Sequence, residues 1–200
     1  MKKFLSVVLA ALTMFVFTAC GSSAEKTADK PVEKASSQVD EPADKILVAY
    51  FSCTGRTKAA ALEVAEMLKA DTFEIVPAQA YTPDDLNYQV ENCRANVEQK
   101  DSAARPEIKS KIENPARYKA IVIAFPIWWG AEPRIIDTFV ESYDLAGKTI
   151  VPVCTSGGSD IVTADKNLQS LCKGADLRIG KRLDILSKDE IKAWLDSLKL

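Results

Sequence analysis

Histidine is absent from the 200 residues of this chain. Its absence excludes histidine-based metal sites, imidazole general bases, and the serine–histidine and cysteine–histidine pairs of many hydrolases. Any demanding chemistry must therefore come from carboxylates, thiols or, above all, a bound cofactor. The sequence accordingly offers no residue that we name as catalytic or as a metal ligand.

Several binding and redox patterns are missing as well. The eight glycines form neither a Gly-x-Gly-x-x-Gly run nor a Gly-Lys-Ser/Thr phosphate loop. No two of the five cysteines have the Cys-x-x-Cys spacing of redox motifs. The formal net charge is only −2 and both signs are interspersed, so we expect no nucleic-acid partner.

The first twenty residues have the layout of a targeting segment. Lys2 and Lys3 precede an apolar run over residues 4–19, which is short for a membrane-spanning helix. The run ends in Phe17-Thr18-Ala19-Cys20-Gly21, which resembles the lipobox of bacterial lipoproteins except that Phe17 replaces the usual leucine. That resemblance implies that Cys20 is lipidated. The alternative is a plain secretory peptide that leaves Cys20 as a spare thiol; both predict a mature protein outside the cytoplasm.

The chain therefore divides into three predicted parts: a signal peptide over residues 1–20, a tether over 21–45 and a folded domain over 46–200. The tether is rich in Ser, Ala, Lys, Glu, Asp and Pro and has too few large apolar residues to build a core. We expect it to hold the domain clear of the membrane to which lipidated Cys20 is anchored, outside the cytoplasm.

From Ile46 onward, short apolar runs alternate with longer segments of helical periodicity. Such alternation predicts βαβ units and a parallel sheet. We expect a flavodoxin-like, doubly wound α/β fold: five parallel strands in the order 2-1-3-4-5 with helices on both faces. The predicted strands are 46–51, 72–76, 120–125, 149–153 and a weak one within 177–184, and the predicted helices are 58–69, 82–103, 133–142, 163–171 and 187–198.

The first loop, Ser52-Cys53-Thr54-Gly55-Arg56-Thr57, lies between the first strand and the first helix. The N–H groups of a helix's first turn have no intrahelical acceptor, and the helix dipole makes that end positive. Hydroxyl side chains add donors, and a glycine lets the backbone approach a ligand closely. This pattern favours a phosphate monoester site, although a well-capped turn without a ligand would look the same.

Two further loops follow predicted strands and should reach the same sheet edge. The second loop runs from Pro126 to Pro133 and holds adjacent tryptophans; the third runs from Cys154 to Asp160 and contains Ser-Gly-Gly-Ser. Flat aromatic rings beside a phosphate site suit a planar aromatic ligand. Taken singly, the tryptophans could belong to the core and the glycines could form only a turn.

Together these loops resemble the three FMN loops of flavodoxin-like proteins, most closely those of the bacterial subgroup with a Pro-Ile-Trp-Trp-Gly signature. The resemblance covers residues 46–200 and implies FMN as cofactor. It implies that the first loop binds the phosphate, that Trp129 stacks on the isoalloxazine with Gly130 near flavin N5, and that Thr155 to Ser159 hold the pyrimidine end. The candidate cofactor-binding residues are Ser52, Cys53, Thr54, Gly55, Arg56, Thr57, Pro126, Ile127, Trp128, Trp129, Gly130, Thr155, Ser156, Gly157, Gly158 and Ser159.

The chain departs from the family pattern at two points of the site. Arg56 stands where Asn or Glu is common and adds a cation beside the phosphate. The tyrosine that covers the outer flavin face in typical flavodoxins is missing after Ser159, where Asp160 follows. An open face would admit a small acceptor such as a quinone. The domain also lacks a strong acidic balance, so electrostatic docking to a basic redox protein would be weak.

The cysteines beyond Cys20 leave the redox state open. Cys53, Cys93, Cys154 and Cys172 allow three pairings, and buried free thiols are the common alternative. Cys53 and Cys154 end the first and fourth strands, too far apart for a relaxed disulfide unless the loops bring them together.

The function predicted from these features is that of a non-covalent FMN flavoprotein at the cell surface. It would transfer electrons to a redox partner protein or reduce a small, quinone-like acceptor. Two alternatives remain at this point: a binding module that kept the fold without flavin, and a thiol–disulfide reductase that uses Cys53 and Cys154.

Overall fold

A computed structural model describes residues 43–200. The predicted signal peptide, Cys20 and nearly all of the predicted tether lie outside the described residues. The first strand begins at Lys45, one residue before the predicted domain boundary. Within residues 43–200, no helix has the length and apolar character needed to cross a membrane.

The strands form one parallel sheet. They are β1 Lys45–Tyr50, β2 Asp71–Glu74, β3 Tyr118–Pro126, β4 Thr149–Thr155, β5 Asp176–Leu177 and β6 Lys181–Arg182. Their order is β2-β1-β3-β4-β5, so the predicted fold class is confirmed. β1 and β3 pair along the full length of β1, and β3 and β4 pair in register from Ala120–Thr149 to Pro126–Thr155.

The predicted fifth strand is split into two short strands that both pair with β4. The carbonyls of Ile150 and Cys154 accept from the edge residues Arg178 and Leu183, at 2.8 and 2.9 Å. In a strand, the backbone N–H and C=O groups of residues two apart point to the same side. The backbone of Pro152, which lies between Ile150 and Cys154, therefore also faces β5 and β6. Because proline has no N–H to offer, the pairing lapses there.

Helices cover both faces of the sheet. They are α1 Arg56–Leu68, α2 Arg94–Lys100, α3 Arg134–Glu141, α4 Val162–Leu171 and α5 Lys188–Leu198, with a 3₁₀ turn at Pro115–Arg117. This cover explains why β3 is continuously apolar from Ala120 to Phe125. Alternate residues of β3 face opposite ways: Ile121 and Ile123 pack with α3 and α4, while Val122 packs with α1 and α5.

The prediction of one helix over residues 82–103 was wrong. At the expected start the chain forms only a turn, in which Thr82 Oγ1 donates to Asp85 Oδ2 at 2.9 Å and accepts from the Asp85 N–H. The chain then leaves the helical path. The amide of Asn96 donates to the carbonyls of Tyr88 and Val90, at 3.0 and 2.8 Å, so these carbonyls need no helical partner. Only α2, residues Arg94–Lys100, remains helical.

Candidate functional site

The three predicted loops converge on one cleft of about 460 Å³ at the carboxyl ends of β1, β3 and β4. This is the position at which open α/β sheets bind their ligands. A fourth segment, residues 86–95 of the predicted helix 82–103, completes the wall of the cleft. The lining residues are Cys53, Thr54, Arg56, Thr57, Leu86, Tyr88, Ala95, Pro126, Ile127, Trp128, Trp129, Thr155, Ser156 and Gly157.

The remaining predicted site residues shape the loops behind this lining. Ser52 Oγ accepts from the N–H of Gly55 at 3.1 Å. Ser156 Oγ likewise accepts from the N–H of Gly158 at 3.2 Å. The cleft lining does not include Ser52, Gly55, Gly130, Gly158 or Ser159, which lie next to lining residues in the same three loops.

The first loop leads directly into α1, with Gly55 as its N-cap in the left-handed conformation (φ +86°). That conformation strains residues with a Cβ, which is why glycine suits the position. No side chain caps the helix. The N–H groups of its first turn, together with the helix dipole, thus make a positive end beside Thr54 and Arg56 in the cleft wall.

Thr57 and Thr155 tie the first loop to the third. Thr57 is only 3% exposed and Thr155 only 4%. Their hydroxyl oxygens are 2.8 Å apart and share a hydrogen bond. The pair brings side-chain hydroxyls of both loops to one point of the cleft.

An ion-pair cluster that sequence reasoning missed supports the third loop. Asp184 accepts from Arg182 Nε at 3.0 Å, from Arg56 Nη2 at 3.1 Å and from the Ser156 N–H at 3.1 Å. Arg182 also donates to the carbonyls of Ser156 and Gly158, at 2.8 and 3.0 Å. Burial raises the pKa of Asp184, but the bonds from Arg182 and Ser156 outweigh it, so the pKa lies below its ordinary value of 3.8.

The adjacent tryptophans have different surroundings. Trp128 and Ala131 close a tight turn with hydrogen bonds of 2.9 and 3.0 Å, and both central residues have positive φ, +48° at Trp129 and +80° at Gly130. This is the φ pattern of a type I′ turn. The ring of Trp128 packs edge-on against Phe51, with centroids 5.6 Å apart. Trp129 is 54% exposed, so Trp128 anchors the loop and Trp129 presents a ring at the cleft.

Tyr88 supplies an aromatic ring at the cleft that the sequence analysis did not predict. It is 68% exposed, lines the cleft, and lies 6.4 Å from Trp129 between ring centroids at an interplanar angle of 79°. A tyrosine therefore does stand at the cleft, although it comes from the segment before α2 rather than from the third loop. No local signal marked it, since this segment had been predicted as helix.

The segment that carries Tyr88 is held by a second polar cluster. The Tyr81 ring packs edge-on against Trp128. The guanidinium carbon of Arg94 lies 4.0 Å from the centroid of the Tyr81 ring. Tyr81 donates its hydroxyl to Glu98, which also accepts from Arg94 at 2.6 Å. Burial and the carboxylate of Glu98 raise the pKa of Tyr81, so the phenol stays neutral and remains a donor.

The cysteines do not form a dithiol pair. All four cysteines of the described residues are free. Cys154 has no exposed surface, and burial raises the pKa of its thiol to about 12. Cys53 is exposed and lines the cleft, yet loss of hydration raises the pKa of its thiol to about 11. Since the thiolate is the reactive form, both observations count against the thiol–disulfide reductase hypothesis.

The protein-family model described as flavodoxin matches residues 45–198. The chain belongs to the flavodoxin family. The predicted family is thus confirmed, and the match spans almost all of the described residues. No curated protein matches the chain.

Solved structures resemble this flavodoxin over its folded part. A protein from Bacteroides eggerthii, assigned as a flavoprotein, is 43% identical with a TM-score of 0.75, covering 78% of this chain and 98% of its own. A protein from Bacteroides uniformis with the same assignment is 46% identical with a TM-score of 0.73, covering 76% and 97%. A Lactobacillus acidophilus flavoprotein, solved in complex with FMN, is 22% identical with a TM-score of 0.61, covering 76% and 98%, and shows the shared fold.

Proposed function

We propose that this flavodoxin binds FMN without a covalent link and uses it for electron transfer. The observation that carries the proposal is the convergence of a helix N-terminus rich in hydroxyls, an exposed tryptophan and a glycine-containing loop on one cleft. Family membership supports FMN, the cofactor that the sequence resemblance implied. The flavoprotein of Lactobacillus acidophilus, which has the same fold, was solved with FMN.

The phosphate end of FMN fits the first loop. Thr54 and Thr57 offer hydroxyl donors, the first turn of α1 offers N–H groups, and Arg56 adds a cation. Arg56 is held by buried Asp184, so its charge remains beside the loop. This donor set suits a terminal phosphate monoester better than an uncharged sugar hydroxyl.

The ring end fits the second and third loops. Trp129 presents an exposed aromatic surface, and a cleft of about 460 Å³ lies within the usual range for small-ligand sites. A Cβ placed on Gly157 or Gly158 would meet no atom within 4 Å, so the backbone of the third loop is open to a ligand. The N–H and carbonyl groups of that loop would pair with the pyrimidine edge.

When bound, FMN supplies one- or two-electron transfer, and the chain's own residues bind and orient it. No described side chain has the placement of an obligatory acid or base at the cleft. The acceptor is then a redox partner protein or a small quinone-like molecule. The small acceptor no longer rests on a missing tyrosine, since Tyr88 stands beside Trp129 at the cleft. Its exposed ring instead offers a surface on which a flat acceptor would stack.

The place of action follows from the N-terminal sequence. Lipidation of Cys20 would anchor the protein to a membrane outside the cytoplasm, and residues 21–44 would separate the domain from it. Metabolic labelling of the full-length chain with a fatty acid, with Cys20→Ser as the control variant, tests this. Label that persists in the Cys20→Ser variant would refute the anchor.

A titration of the full-length protein with FMN and with riboflavin tests the cofactor. We expect FMN to bind more tightly, since riboflavin lacks the phosphate that the first loop recognises. Thr54→Ala should weaken FMN binding by roughly tenfold, the loss of one hydrogen bond to a charged group, and leave riboflavin binding unchanged. Thr72→Ala, an exposed threonine on β2, is the matched control.

Absence of binding by either flavin would refute electron transfer and favour a flavin-free binding module. If both flavins bind equally, the phosphate assignment of the first loop is wrong. With flavin bound, a rate of quinone reduction that falls in Tyr88→Ala but not in Tyr88→Phe would support the small acceptor.

A further inference from the structure

Glu132 of the second loop is a glutamate with no exposed surface, and it directly follows the turn that presents Trp129. Its carboxylate oxygens both accept from Asn167 Nδ2 of α4, at 2.9 and 3.2 Å. Its backbone carbonyl accepts from Gln99 Nε2 of α2 at 2.9 Å. Neither partner is charged. The residue thus joins the second loop to the helices that flank it.

The charged groups around Glu132 do not balance. Arg134 Nη1 is 3.2 Å from Asp137 Oδ2 but 3.9 Å from Glu132 Oε1, so it hydrogen-bonds only the aspartate. Arg105, which follows α2, pairs with Glu141 at 2.6 Å and lies 3.6 Å from Asp137. The carboxylates of Glu132, Asp137 and Glu141 therefore share two guanidinium groups, those of Arg105 and Arg134. Of the three carboxylates, only Glu132 has no hydrogen bond to a guanidinium group.

A proton would resolve this arrangement. Among residues 43–200, Asp137 Oδ1 is buried and has no hydrogen-bond partner. Glu132 Oε1 and Asp137 Oδ2 lie 3.9 and 3.2 Å from the same atom, Arg134 Nη1, so the two buried carboxyl groups are neighbours around one guanidinium group. A protonated Glu132 has an O–H to offer to the unpaired carboxylate oxygen of Asp137, whereas an ionised Glu132 would set two buried carboxylates side by side.

We propose that Glu132 is held as a neutral carboxylic acid that shares its proton with Asp137, and that loss of this proton loosens the second loop. Glu132 is in this sense a positioning residue for Trp129. The consequence for flavin binding rests on the proposed function: deprotonation of Glu132 should weaken FMN binding.

The electrostatics agree with this geometry. Burial raises the pKa of Glu132 from 4.5 to about 7 against the lowering effects of its own backbone N–H and of the bond from Asn167, and the neighbouring Asp137 adds to the rise. The pKa of Asp137 is also raised by burial, although Arg134 and Arg105 oppose the rise. Because the folded pKa of Glu132 exceeds the unfolded one, its contribution to stability is complete below pH 4.5 and is lost as the pH rises through about 7.

Infrared difference spectroscopy of the flavin-free, full-length protein tests the proton directly. Between about pH 5 and about pH 9, we expect one protonated carboxyl C=O band to disappear with a midpoint near neutrality. Glu132→Gln should abolish that band, and Asp137→Asn should move its midpoint to lower pH because a neighbouring negative charge is removed. Glu66→Gln, an exposed glutamate on α1, is the matched control. No titrating band in the wild-type protein, or a band kept in Glu132→Gln, would overturn the proposal.

The effect on the loop has a separate readout. FMN affinity of the wild-type protein should fall several-fold as the pH rises across the same midpoint. Glu132→Gln keeps the neutral side chain at every pH, so its FMN affinity should be independent of pH in this range. An equal pH dependence in both proteins would overturn the role in the loop. Failure of FMN to bind at any pH would instead refute the proposed function, while the infrared result would still decide the proton.

Discussion

Thr57 and Thr155 share a hydrogen bond of 2.8 Å between side-chain hydroxyls, although 98 residues separate them in the chain. Each hydroxyl can donate one hydrogen and accept others. Whichever of the two donates in this bond, the other keeps its hydrogen for a ligand. The pair therefore joins two loops and still leaves a nearly buried donor at the cleft.

Thr57→Ala should lower the affinity for FMN by roughly tenfold or more, since a hydrogen bond to a charged group contributes about 1.5–3 kcal/mol. Riboflavin affinity should change little, because the donor serves the phosphate. Parallel titrations with both flavins measure this, with Thr72→Ala as control. Equal losses for both flavins would show that Thr57 acts on the shape of the cleft rather than on the phosphate.

The two tryptophans should separate binding from stability. Trp129→Ala removes an exposed ring, so we expect FMN and riboflavin affinity to fall together while the unfolding free energy changes by less than about 1 kcal/mol. Trp128→Ala removes a ring packed against Phe51 and Tyr81 and should cost about 2 kcal/mol or more. Urea unfolding of the flavin-free proteins checks the second effect. The reverse ranking in stability would contradict the division of roles.

Gly55→Ala should destabilise the protein by about 1–2 kcal/mol, because a residue with a Cβ is strained in the left-handed conformation. Open space surrounds the added methyl group, so the cost comes from the backbone alone. Gly158 has equally open space and no positive φ, which makes Gly158→Ala the matched control. If both variants unfold at the same urea concentration, the left-handed conformation at position 55 does not strain an alanine, and the explanation for Gly55 is wrong.

Arg182→Ala should weaken the third loop and make the protein more sensitive to acid. The pKa of Asp184 is lowered in the folded state, so its contribution to stability is present above its ordinary pKa of 3.8 and is lost as the pH falls further. Without Arg182, Asp184 keeps only the bond from the Ser156 N–H and the ion pair with Arg56, whose side chain is largely exposed. The midpoint of acid unfolding should therefore shift to higher pH.

Lys181→Ala on the same short strand is the control for Arg182→Ala. An acid midpoint that is the same for wild type and Arg182→Ala, measured by circular dichroism, would show that the ion pair does not hold the loop. FMN affinity should fall in Arg182→Ala, since Ser156 and Gly158 lose their bonds to the guanidinium.

Local patterning was enough to predict strands β1, β3 and β4 and the convergence of the loops that follow them. β1, β3 and β4 are recognisable because buried parallel strands are continuously apolar. The loops after them had to meet, since parallel strands end at one edge of the sheet. The predicted last helix likewise forms as α5, and its start is a local arrangement, a capping box between Ser187 and Glu190.

Features that depend on distant partners could not be predicted. The chain before α2 leaves the helical path because Asn96 and the Tyr81–Arg94–Glu98 cluster satisfy its polar groups. The fifth strand is interrupted because Pro152 faces it from another strand. In both cases the residues responsible lie outside the segment whose structure they change, so the sequence of that segment alone does not reveal them.

The roles of individual side chains at the cleft were decided by tertiary packing. Trp128 and Trp129 are identical neighbours in the chain, yet one ring packs beside Phe51 and the other faces solvent. Tyr88, Arg182 and Glu132 acquire their roles only where separate segments meet. The physical reason is that hydrophobic periodicity and helix-capping patterns act between near neighbours in the chain, whereas burial, ion pairing and pKa shifts depend on every element packed around a group.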